Sequence, residues 1–126
     1  MLMTTINDDI EEKYSQAKRL FENGILKDAK DIFVELTLKK PFNWEFWFAL
    51  ATIYEQEKNY TQAIISYKMA IVLNPENDIL YFHLAECFLS INDKKQAIEN
   101  LKLAQKYTKD SFLKDKVQIL IKQNLK

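Results

Sequence analysis

Few residues in this 126-residue chain have a type and spacing that could do chemistry, and the first to weigh is His83, its one histidine. Cys87, the one cysteine, follows four residues later, which puts both on one face if the segment is helical. A structural zinc site takes four such ligands, and a catalytic thiol needs a base that a third group holds in place. There is no second histidine and no serine at the spacing of a nucleophile motif, so His83 and Cys87 read as structural. A phosphate-cradling loop needs several glycines, and the chain has one, Gly24. Carboxylate pairs such as Asp8 with Asp9 and Glu55 with Glu57 read as solvated surface. The expectation is no catalytic residue, no cofactor and no metal site, and a chain that is not an enzyme.

With no reaction centre to position, the elements themselves carry the information. Ala17, Ala51 and Ala85 are 34 residues apart, and Ala29, Ala63 and Ala97 keep that period. So do Leu20, Tyr54 and Phe88, then Phe33, Tyr67 and Leu101, then Leu36, Ala70 and Ala104, while Pro41 and Pro75 close the first two units. A fixed period of this length, alternating small and bulky residues, belongs to an array of helix-turn-helix repeats and resembles the tetratricopeptide pattern. The small residues have a physical role: helices approach to about 8 to 10 Å only where the contact positions carry little side chain. Trp47, Tyr54 and Tyr67 fill the space beside the close contact, and Pro75 ends a helix because it cannot continue the backbone ladder.

The pattern predicts helices over Ile10 to Asn23 and Lys27 to Lys39, Trp44 to Glu57 and Thr61 to Leu73, and Ile79 to Ile91 and Lys95 to Tyr107. From Ser111, apolar Leu113, Val117, Leu120, Ile121 and Leu125 recur at helical spacing, as expected of a terminal helix that covers the open face of the last repeat. The fold class is all-α: three repeats in a curved right-handed array with a C-terminal cap. Its parts are a flexible N-terminus at 1–9, repeats at 10–43, 44–77 and 78–110, and the capping helix at 111–126.

Composition narrows the function further. One glycine and two prolines leave few hairpin turns, which argues against sheets. Eighteen basic and eighteen acidic residues are interspersed with no basic stripe, so nucleic acid is not an expected partner. The longest apolar run, Phe46 to Ala51, is far short of the roughly 20 residues that cross a bilayer, so membrane insertion is not expected either. The opening MLMTTINDDIEEK lacks the order of a signal peptide, and a single cysteine fits a reducing compartment, so the expected location is cytoplasmic.

Function is then expected from the shape of the array, in which the first helix of each repeat lines a concave side where an extended peptide can lie. Helical spacing puts Tyr14, Lys18 and Phe21 of the first repeat, Phe48, Thr52 and Glu55 of the second, and Phe82, Glu86 and Leu89 of the third on or near that side. Tyr14, Phe21, Phe48 and Phe82 are aromatic beyond what the repeat core requires, and surplus rings suggest a binding surface. The clamp that repeat proteins use for heat-shock carboxylate tails is not expected. Its positions carry Tyr14, Lys18, Ala49, Ile79 and His83 in place of the needed Lys, Asn and Arg.

The third repeat, YFHLAECFLSINDKKQAIENLKLAQ at 81–105, resembles the repeat of class II type III secretion chaperones, with its aromatic-His-x-Ala-Glu-Cys core and Leu-Ala-Gln ending. Tyr14, Ala17 and Phe21 ahead of Asn23 and Gly24, then Ala29, Phe33 and Leu36, are similar to the family's first repeat. The resemblance implies a non-enzymatic chaperone of bacterial cytoplasm. It would hold hydrophobic translocator proteins before secretion by gripping a Pro-x-Leu-x-x-Pro segment in the groove, with Tyr14, Phe21, Phe48 and Phe82 as apolar pockets. The family's N-terminal arm serves self-association, and with about nine residues before the first repeat a monomer or weak homodimer is expected. The other function compatible with the residues is a general repeat scaffold in a multiprotein assembly.

Overall fold

The computed structural model describes the backbone of residues 2–125 and the side chains of residues 8–125. Among the described residues the period becomes seven helices: α1 (Leu2–Glu22), α2 (Leu26–Lys39), α3 (Trp44–Gln56), α4 (Tyr60–Leu73), α5 (Asp78–Ser90), α6 (Lys94–Tyr107) and α7 (Ser111–Asn124). Helices consecutive in the chain make the main packing contacts, so the molecule is a stack of neighbours.

The 34-residue period is written into the turns. Gly24, Lys58 and Asn92 each take a left-handed conformation, with φ of 78°, 62° and 63°. At each turn the next backbone N–H reaches back five residues, from Ile25 to Leu20, Asn59 to Tyr54 and Asp93 to Phe88, and satisfies carbonyls that the helix end would leave bare. The helices that follow begin with a side-chain cap at Asn59 and Asp93, whose carboxamide and carboxylate oxygens accept from Gln62 and Gln96 backbone N–H groups. Ile25, the equivalent residue of the first repeat, has the same backbone shape and no side chain able to cap. Between repeats, Pro41 and Pro75 disfavour helical backbone in the residue before them, and α2 and α4 stop just short. These prolines are also pinned. Trp47 Nε1 donates to the Pro41 carbonyl at 2.8 Å, and Tyr81, one period on, donates its hydroxyl to the Pro75 carbonyl at 2.6 Å.

Ala17, Ala29, Ala51, Ala63, Ala85 and Ala97 are all fully buried, as close helix contacts require. One apolar cluster forms around Phe33, Leu36, Phe46 and Ile53, and a second around Tyr67, Leu80, Leu84 and Phe88. The third joins Leu113, Val117 and Ile121 of α7 to Tyr81, Phe82, Ala85, Leu101 and Ala104. Burying those three α7 side chains contributes about 1.5 to 3 kcal/mol each, which holds the cap on the array.

One difference from the sequence reading lies at the N-terminus. Residues 1–9 are expected to be flexible, yet α1 is helical from Leu2, eight residues upstream of the expected start at Ile10. No glycine or proline lies between Leu2 and Glu22, and the polar residues there carry helix penalties of only a few tenths of a kcal/mol each, so nothing stops propagation. Met1 and Lys126 lie outside the described residues, as do the side chains of residues 2–7.

Candidate functional site

The first helices of the repeats, α1, α3 and α5, carry a continuous depression. Its larger part is a cavity of about 450 Å³ walled by Tyr14, Lys18, Phe21 and Glu22 of α1, Phe33 of α2, and Trp44, Glu45, Phe48, Ala49 and Thr52 of α3. The rings hold one another in place. Tyr14 meets Phe33 and Phe46 edge-on at centroid distances of 6.1 and 5.0 Å, and Trp44 lies 6.0 Å from Phe48. Lys18 is exposed at the rim, and its ammonium sits 4.4 Å above the Tyr14 ring. The Thr52 hydroxyl donates to the Ala49 carbonyl at 2.7 Å, so it is satisfied within its own helix.

Phe21 and Thr52 also border a second hollow, completed by Glu55, Gln56, Tyr60, His83 and Glu86. Here His83 of α5 is stacked on Tyr67 of α4, with centroids 5.6 Å apart and planes 7° from parallel, and Phe48 packs against it at 5.7 Å. Its Nδ1 is buried and makes no hydrogen bond, but lies 3.7 Å from Glu55 Oε1 and 3.3 Å from Glu86 Oε1, at ion-pair distance from both. Burial alone lowers the imidazole pKa, and the Glu55 and Glu86 carboxylates outweigh it, raising the pKa to about 9. For Glu55, burial opposes ionisation, and the contacts with His83 and the Tyr67 hydroxyl, which donates at 2.6 Å, outweigh that and hold it below the usual carboxylate range. Burial likewise pushes the Tyr67 phenol well up, reinforced by Glu55. The cluster therefore favours the protonated imidazole of His83 beside the ionised carboxylate of Glu55.

The ligand atoms of Glu55, His83 and Glu86 lie within 4.8 Å of one another, which suits a divalent cation in composition. The imidazole nitrogen must first release the proton its neighbours hold, so a metal competes there at a disadvantage. Cys87 adds nothing to such a site: it is fully buried, and burial pushes its thiol up to about 12.

Of the nine residues singled out by spacing, Tyr14, Lys18, Phe21, Phe48 and Thr52 meet in the larger cavity, and Glu55 and Glu86 meet in the second hollow. Phe82 and Leu89 join neither. Phe82 is only 7% exposed, lies in the core beneath α7 and has the Lys116 ammonium 5.0 Å above its ring, so the expected pocket wall is a core residue. Leu89 packs against the cluster around Tyr67 and Phe88. The carboxylate pair Glu55 and Glu57 is not simply solvated surface either. Glu57 receives Lys30 at 2.9 Å, tying α2 to the end of α3, and Glu55 belongs to the histidine cluster. Spacing did not single out Phe33 and Tyr67, which read as repeat core, nor Trp44, nor the role of His83.

A tetratricopeptide-repeat profile matches residues 14–78 and again 79–111. The chain belongs to the tetratricopeptide-repeat family. Within that class it is similar to Low calcium response locus protein H of Yersinia pestis, at 28% identity over 110 residues that cover 87% of this chain and 66% of the relative. Among solved structures it is similar to the type III secretion chaperone SycD of Yersinia enterocolitica in complex with a peptide of the translocator YopD. The TM-score is 0.88 at 25% identity, covering 94% of this chain and 93% of that one. PcrH from Pseudomonas aeruginosa shares the fold, with a TM-score of 0.85 at 20% identity over 94% of this chain and 93% of that one. Among the described residues no helix is long and apolar enough to cross a membrane.

Proposed function

We propose that this protein is a non-enzymatic chaperone that holds a hydrophobic translocator of a bacterial type III secretion system, gripping an extended segment of the client in the groove of α1, α3 and α5. The observation that carries the reading is the aromatic cavity of Tyr14, Phe21, Phe33, Trp44 and Phe48, open on the face of the array where an extended peptide can lie. The similarity over 94% of the chain to SycD, solved with a translocator peptide, supports a peptide client. The client's apolar side chains fill the cavity, with Lys18 and Thr52 at its border, while Glu55 and Glu86 meet polar groups further along. Neither nucleic acid nor a membrane has a part in this function, and no cofactor is needed. The working location is bacterial cytoplasm, where the chaperone is a monomer or weak homodimer.

The test is titration of a labelled Pro-x-Leu-x-x-Pro peptide against wild type and Phe48→Ala. Truncating a ring at a binding hot spot costs about 2 kcal/mol or more, so the variant should bind roughly thirtyfold more weakly while keeping its helical circular dichroism. Equal affinities would favour the scaffold reading, in which Phe48 is internal packing.

A further inference from the structure

We propose that the hollow between Glu55 and Glu86 is a subsite for a basic side chain, the guanidinium of an arginine or the ammonium of a lysine, carried by the client segment next to the apolar residue that fills the aromatic cavity. The inference rests on the groove reading above and adds a charge requirement to it.

Three observations carry it. The hollow and the aromatic cavity share Phe21 and Thr52, so one extended segment passes from one to the other without leaving the groove. The lining of the hollow includes two carboxylates and no lysine or arginine, and a protonated His83 neutralises only one of them. The chain as a whole has a formal charge of zero, so an acidic hollow here is a local feature and not a share of an acidic protein. The free valence is also in the right place. The ion pairs with His83 and the bond from Tyr67 all fall on Oε1 of Glu55 and Glu86, which leaves Oε2 of each as an acceptor. A guanidinium presents five donors in a planar fork and can reach two such oxygens at once, and Phe21 and Tyr60 complete the lining beside them. Lys18 borders the other end of the groove but is held over Tyr14, and it is outnumbered there by Glu22 and Glu45, so it does not cancel the attraction.

The experiment uses the full chain and labelled peptides with a Pro-Gln-Leu-Gln-Gln-Pro core, in which each Gln and each flanking position is changed singly to Arg, read by fluorescence anisotropy. At least one arginine peptide should bind about fivefold more tightly than the all-glutamine parent, as expected for a partly solvated charge pair. That gain should vanish in Glu86→Gln and shrink between about 50 mM and about 500 mM NaCl, whereas Phe48→Ala should weaken parent and arginine peptides alike. Glu86 is exposed enough that its amide should leave folding intact, and unchanged circular dichroism checks this. If the parent binds and no arginine peptide gains, or if the gain survives Glu86→Gln, the subsite is wrong and the groove stands. If the parent itself does not bind, both fall.

Discussion

Because His83 is the one histidine, its imidazole proton resonance is unambiguous, and titrating it tests the charge cluster directly. The pKa should lie well above the ordinary 6.5, at about 9. A pKa raised on folding stabilises the protein below the unfolded value, and that contribution is lost as the pH rises from 6.5 through 9. A shift of this size corresponds to about 3 kcal/mol at 1.36 kcal/mol per unit, and partial solvent screening of the His83 and Glu86 side chains reduces it to about 2 kcal/mol. Thermal unfolding followed by circular dichroism should therefore show a fall of several degrees between pH 6.5 and 9 that is absent in His83→Gln. Glu55→Gln keeps an acceptor for the Tyr67 hydroxyl but removes one of the two charges, and should lower the His83 pKa by at least about one unit. A wild-type pKa at or below 6.5, or one indifferent to Glu55→Gln, would refute the reasoning, because burial would then dominate over the carboxylates.

Other outcomes follow from the repeat geometry. Ile25→Asn supplies the side-chain cap that Asn59 and Asp93 give their own helices and should stabilise by about 1 kcal/mol, read as a higher melting temperature. Lys58→Gly removes a left-handed non-glycine residue outside any helix and should stabilise by about 0.5 to 1 kcal/mol in urea unfolding. Phe82→Ala should destabilise by about 3 to 5 kcal/mol and speed hydrogen exchange in α7, since its ring lies in the core beneath that helix.

The register of the array is legible in the sequence because it rests on local chemistry: alanine at close contacts, proline after alternate helices, and a turn residue at Gly24 and Asn92, whereas Lys58 takes the same left-handed conformation without a residue type that announces it. The larger cavity is partly legible for the same reason, as Tyr14, Lys18, Phe21, Phe48 and Thr52 follow from helical spacing alone. What spacing cannot give is which equivalent position is covered. Phe48 and Phe82 are one period apart, yet Phe48 stays half-buried at the groove while α7 closes over Phe82, an effect of the array's end. The histidine cluster was hidden for a related reason. Glu55 and His83 are 28 residues apart and come from neighbouring repeats, a separation that belongs to the packing of one repeat on the next and to no linear motif. The early start of α1 escaped because polar residues permit a helix that their composition does not announce.

The central claim is that α1, α3 and α5 present the binding face, and an amide NMR titration of the isotope-labelled protein with the Pro-x-Leu-x-x-Pro peptide tests it most directly. Shifts concentrated around Tyr14, Phe21, Phe48 and Thr52, reaching Glu55 and His83 and leaving the outward residues Leu38 and Val72 unmoved, are the predicted result. Shifts centred on Leu38, Val72 and their neighbours on α2 and α4, with the aromatic cavity silent, would contradict it.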